Sequence, residues 1–262
     1  MDRALLIVAL VCYLAPALAR KDGFMRVLAT RWWVPAGLLL HVQALVLTFF
    51  LDDVPLRSMT EGLGLTALLV MVARLWLSRN PRMAAIQRIL LGLAGLLMVL
   101  AALAPSTRGT ESSPPVFFLL HIGLVLTGFA GFALTFSMST LYLGVRRRLK
   151  RKRLSDIGSL PSLDTLDALI MRTMAFGFAT LTAGIAVGFA WSYDRQGSVW
   201  PGDFTTIITM AVWLWYALGL AARVAAGLRG RVAAIFGVVG FAAFLLITAV
   251  GLLLSGFHGA AG

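Results

Sequence analysis

The sequence predicts an all-α polytopic membrane bundle of eight transmembrane helices, and three observations carry that expectation. Hydrophobic residues make up 60% of the 262 residues and charged residues 13%, about half the charged share of an ordinary soluble domain. The apolar residues gather into eight stretches, each close to the ~20 residues that cover a ~30 Å hydrocarbon core. The connections between those stretches differ sharply in basic content from one side to the other. Lipid offers no water to satisfy backbone N–H and C=O groups, so stretches of this kind have to be helices.

The first stretch covers residues 4–19 and ends in Ala17-Leu18-Ala19, which resembles a signal-peptide cleavage site. Asp2 and Arg3 precede it and Arg20-Lys21 follows directly, so export would drag a basic pair through the membrane. It is expected to stay as a first helix. Cys12 within it is the lone cysteine of the chain, which excludes an internal disulfide and a C-x-x-C-H motif and leaves a small apolar residue. The second stretch, 33–51, carries His41 about ten residues from either end, hence ~15 Å deep. The third and fourth run over 61–78 and 84–104, the fourth with Gly92 and Gly95 on one face. Residues 105–115 (PSTRGTESSPP) are polar and turn-rich and form an outer connection.

The fifth stretch, 117–145, is too long for the bilayer. From Val116 to Val145 it would span ~45 Å, so it should tilt or project into the cytoplasm. The connection 146–168 opens with RRRLKRKR, a stop-transfer block suited to anionic lipid headgroups. The sixth stretch, 169–193, holds the small-xxx-small pair Gly184 and Gly188, a signature of close helix packing. The seventh, 203–222, begins at Asp203, a good N-cap residue. The eighth, 232–256, is followed by SGFHG, where Gly256 and Gly259 would let the backbone fold back over the bundle. With no internal repeat, the chain is expected to form a single membrane domain over residues 1–262.

A net charge of +12 invites a nucleic-acid partner, and its distribution argues against one. With the connections taken as alternating sides from an outer N-terminus, only Arg3, Arg57, Arg108 and Arg195 of the 23 Lys and Arg fall outside. Asp52, Asp53, Asp194 and Asp203 lie on that outer side. The asymmetry puts both termini outside the cytoplasm, and the basicity serves topology.

On the outer face, His121 lies about one turn inside the fifth helix and His258 follows the eighth. The loop WSYDRQGSVWPGD joins the sixth and seventh helices there and brings Trp191, Tyr193, Trp200 and Asp203. Imidazoles are the commonest protein ligands for metals and bind heme iron. A flat macrocycle could rest on this aromatic surface between two imidazoles, with Arg195, Arg108 or Arg57 pairing with its carboxylates. The residues alone leave a blander account open. Trp and Tyr gather at interfaces in any membrane protein, and Asp203 serves as an N-cap. His41 is either functional or a neutral imidazole bonded to a neighbouring helix.

The stretches LLHIGLVLTGFAGFALTF, LDALIMRTMAFGFATLTAGIAVGFAW, GSVWPGDFTTIITMAVWLWYALGLAARVAAGLRGR and the terminal GFHG carry a resemblance. From about residue 116 onward the chain resembles the cytochrome c assembly proteins of the CcsA/CcmC type, heme-handling membrane proteins with a tryptophan-rich WWD loop. The short HemX-like and YpjD-like members are most similar in length and layout. The resemblance implies heme held non-covalently at the outer face, with His121 and His258 as axial iron ligands over the loop containing Trp200 and Asp203. Gly202 and Ile208 stand where the family commonly has tryptophan, which thins the stacking surface. Within the membrane, His41 resembles the first histidine of a second family pair, and Ala221 occupies the place of the other.

The resemblance further implies other cytochrome c assembly proteins as partners and the bacterial cytoplasmic (inner) membrane as location. It implies heme handling rather than catalysis by this chain alone, because a heme lyase would need an acceptor-protein site that another subunit would have to supply. The competing reading is a transporter or transport accessory for a metal ion or small solute, with His41 in its path. Its weakness is that no Asp, Glu, Lys or Arg lies in the middle of any span.

Overall fold

The computed structural model describes residues 3–18, 32–51, 58–104, 116–152, 159–197 and 204–259, and all regular structure among them is helical. The α-helices are α1 (Arg3–Leu18), α2 (Val34–Leu51), α3 (Met59–Leu77), α4 (Ala84–Leu103), α5 (Val116–Lys150), α6 (Leu163–Gln196), α7 (Phe204–Ala226) and α8 (Arg231–Gly259). A 3-10 turn, Pro81–Met83, leads into α4. Six segments are long and apolar enough to cross a membrane, one in each helix from α3 to α8, and α1 and α2 contribute shorter apolar helices, Ala4–Leu14 and Val34–Thr48. The chain is therefore a helical membrane protein with six candidate spans among the described residues.

Local chemistry sets several helix ends. Ser58 caps α3, its hydroxyl accepting from the Glu61 N–H at 3.2 Å, the first half of a capping box. Ser162 caps α6 in the same way through the Thr165 N–H, with Asp164 in the first turn. α6 therefore starts at Leu163 rather than near 169, because a polar stretch that reads as loop is in fact a cap and first turn. At its other end Gly197 adopts φ 64° and donates its N–H to the Tyr193 carbonyl at 2.9 Å. α5 stays helical through the basic run to Lys150, 35 residues and ~52 Å, with Arg147, Arg148 and Lys150 in its last turn. α8 runs on to Gly259 without folding back at Gly256, since glycine permits a reversal without requiring one.

α5 is the central helix, packed against α3, α4, α6 and α8. Its most extensive partner is α6, and small residues set their separation. A Cβ added at Gly131 would lie 2.8 Å from the Gly177 Cα, and one at Gly184 would lie 3.0 Å from the Val125 nitrogen. Lipid supplies no hydrophobic drive between helices, so this backbone proximity and its dispersion contacts hold the pair. Against α8, Phe129 stacks on Phe244 at 4.3 Å, Phe136 meets Phe241, and Gly237 and Gly230 lie beside Ser139 and Tyr142. Positions fall along α8 as they rise along α5. The two helices are antiparallel, and the start of α5 shares an end with the close of α8.

In the N-terminal half, Leu6, Ala9 and Tyr13 of α1 are buried in the core, and α1 packs on α2 and α4. Cys12 is buried and free, as its apolar setting suggests. In the C-terminal half, one carboxylate joins three helices. Asp167 of α6 accepts from Arg223 of α7 at 2.7 and 3.0 Å and from the Gly230 N–H just before α8 at 2.8 Å. The fork geometry of guanidinium on carboxylate makes this a strong pair.

Candidate functional site

His121 lies near the start of α5 and is partly buried against α6. Its Nδ1 sits 2.7 Å from the Gly184 carbonyl oxygen. A carbonyl can only accept, so Nδ1 must carry the proton. In the neutral ring Nε2 is then a lone pair, the form in which imidazole ligates a metal. About one turn further outward, Phe118 of α5 and Trp191 of α6 meet at 5.2 Å between ring centroids. The Trp191 indole N–H is buried without an acceptor among the described residues. Tyr193, by contrast, is 62% exposed.

His258 falls in the last turn of α8, and its side chain lies outside the described residues. The antiparallel pairing of α5 and α8, continued from Phe129–Phe244, brings the backbone of 258 within about two turns of His121 along the shared axis. Trp200, Gly202 and Asp203 lie outside the described residues, as do Arg57, Arg108 and the side chain of Arg195. α7 begins at Phe204, directly after Asp203. Ile208 packs against the core and Ala221 is exposed on α7.

His41 belongs to a different neighbourhood. Its ring is 0% exposed, with Nδ1 3.2 Å from the Tyr13 hydroxyl of α1 and the two rings edge to face at 6.0 Å. Nε2 has no hydrogen-bond partner among the described residues. α2 packs on α1 and α3, away from the α5–α6 pair, so His41 and His121 are not brought together. No cluster of three or more His, Cys, Asp or Glu side chains suited to a metal ion occurs among the described residues.

Two partners escape a sequence reading. Tyr13 carries the signal of a phenol in an apolar helix, a group that seeks a hydrogen bond when buried. The Gly184 carbonyl carries none, because a backbone acceptor is the same at every residue.

Helices of this number and length, with a histidine tied between two of them, define a polytopic membrane protein with a candidate ligand at one end of its bundle. The family model for Cytochrome C assembly protein matches residues 3–258, and the chain belongs to that family. The match reaches far beyond the half in which the motifs are legible. The cytochrome c biogenesis protein CcsA of Mesostigma viride is 23% identical over 283 residues, covering 97% of this chain and 93% of that protein. CcsA of Synechococcus elongatus is 38% identical over 96 residues, 36% of this chain and 30% of the relative. Among solved structures, cytochrome c heme lyase CcmF is similar in fold, with a TM-score of 0.56 and 18% identity. That likeness covers 97% of this chain, which spans 49% of the CcmF chain.

Proposed function

We propose that this protein holds heme non-covalently at the outer face of the bacterial cytoplasmic membrane, for handling or delivery during cytochrome c assembly. His121 and His258 would be the axial iron ligands, with the Trp200 and Asp203 loop as the surface on which the porphyrin rests. The observation that carries the reading is the bond from His121 Nδ1–H to the Gly184 carbonyl. It leaves Nε2 as a lone pair near the end of the bundle that the close of α8 also reaches. Heme iron would take an imidazole nitrogen as ligand, and His121, its Nδ1–H held on a carbonyl, would offer Nε2 to it.

In this reading α1 and α2 cross the membrane as well, giving eight spans in one domain over 1–262 with both termini outside. The grouping of Arg146–Arg153, Arg223, Arg229 and Arg231 on one side supports that orientation. The partners are lipid, heme and other cytochrome c assembly proteins, the last in keeping with the Cytochrome C assembly family match over residues 3–258. The burial of the His41 ring against Tyr13, with Ala221 in place of its family partner, counts against an inner heme contact, so the reading rests on the outer histidines. No observation favours transport, because the His41 ring is wholly buried against Tyr13.

The test is an absorption spectrum of the detergent-purified protein after heme-replete expression. A Soret band with low-spin visible bands is expected, and a colourless protein refutes the proposal.

A further inference from the structure

Gly184 and Gly188 stand four apart on α6, on the face turned to α5, and each has a neighbour where its side chain would be. At Gly184 that neighbour is the α5 backbone at Val125. At Gly188 it is the imidazole of His121: an added Cβ would lie 2.5 Å from both its Cε1 and its Nδ1. No side chain at 188 could coexist with the ring in this place. One helical turn away, the Gly184 carbonyl receives the Nδ1 proton at 2.7 Å.

We infer that α6 forms a seat for imidazole, in which Gly188 vacates the space for the ring and the Gly184 carbonyl selects its tautomer. Both glycines are positioning residues for His121, acting on the iron ligand through its ring. The inference rests on the heme reading above and adds how the ligand is held. A ring pressed against helix backbone has one orientation, so little rotamer freedom is lost when iron binds. Its Nδ1–H bond also strengthens Nε2 as a donor. The acceptor at 184 is main chain, but a Cβ there would meet Val125 at 3.0 Å or less, so the carbonyl reaches the ring only with glycine at that position.

The experiment therefore replaces the ring. In His121→Gly, the low-spin spectrum of the heme-loaded protein is lost, and free imidazole at millimolar concentration restores it. 1-Methylimidazole has no N–H to offer the carbonyl and needs about tenfold higher concentration. In the pair His121→Gly with Gly188→Ala, the new methyl has room because the ring is gone, so the fold is kept. Imidazole then fails to restore the spectrum, since the methyl fills its place. Equal rescue by the two imidazoles, together with rescue that ignores Gly188→Ala, overturns the seat while leaving heme binding intact. An unchanged spectrum in His121→Gly overturns the seat as a ligand site. A wild-type protein without heme overturns both readings.

Discussion

A neutral histidine in a membrane helix has one donor nitrogen and one acceptor nitrogen, and their neighbours decide what the ring can do. His121 donates its Nδ1–H to a carbonyl, which leaves the Nε2 lone pair uncommitted in the neutral ring. His41 shares a hydrogen bond with Tyr13 in the core, where either atom can donate. The two rings therefore respond differently to mutation. His121→Ala and His258→Ala should each lower heme affinity at least about tenfold, the loss that even indirect partners of a ligand produce. Heme titration of the purified variants measures this, and indifference to both removes the ligand assignment. Tyr13→Phe should leave outer heme binding unchanged and destabilise the protein by about 1 kcal/mol, the value of one hydrogen bond. Unfolding in detergent, followed alongside heme content, separates the two effects.

At the scale of elements, the α5–α6 pair places His121, and its geometry depends on which glycines face a helix. Gly92 of α4 has nothing within 4 Å of its absent Cβ, whereas Gly131 has the Gly177 backbone at 2.8 Å. Gly92→Ala should therefore be neutral or stabilising by up to about 1 kcal/mol, from backbone entropy alone. Gly131→Ala should destabilise by about 1–3 kcal/mol, the usual cost of overpacking, as α5 is pushed away from α6. Denaturant unfolding of both variants checks the contrast, and equal effects would mean that the close approach does not matter. From sequence the two glycines look alike, since both lie inside apolar helices. The extent of α6 is also hidden: Ser162, Asp164 and Thr165 read as loop until the cap hydrogen bond shows a first turn.

For the whole molecule, the placement of basic residues argues for one orientation, and the antiparallel run of α5 and α8 decides which ends meet. In the proposed topology Asp194, near the close of α6, lies outside and Ser159, before its start, faces the cytoplasm. In a Cys12→Ala background, Asp194→Cys should react with a membrane-impermeant thiol reagent in intact cells. Ser159→Cys should react only after permeabilisation. The reverse pattern would invert the proposed topology and move His121 to the cytoplasmic face.

Sequence alone determined the helical class, six of the eight apolar stretches as candidate spans and the family, because length and apolarity are properties of residue type. It also singled out His121, His258 and His41 as the imidazoles to watch. Tertiary structure decided how the His121 ring is held, with Nδ1–H on a carbonyl and Nε2 left over. That depends on a main-chain carbonyl at Gly184 and a missing side chain at Gly188, and neither has a chemical signature until two distant helices are brought into contact.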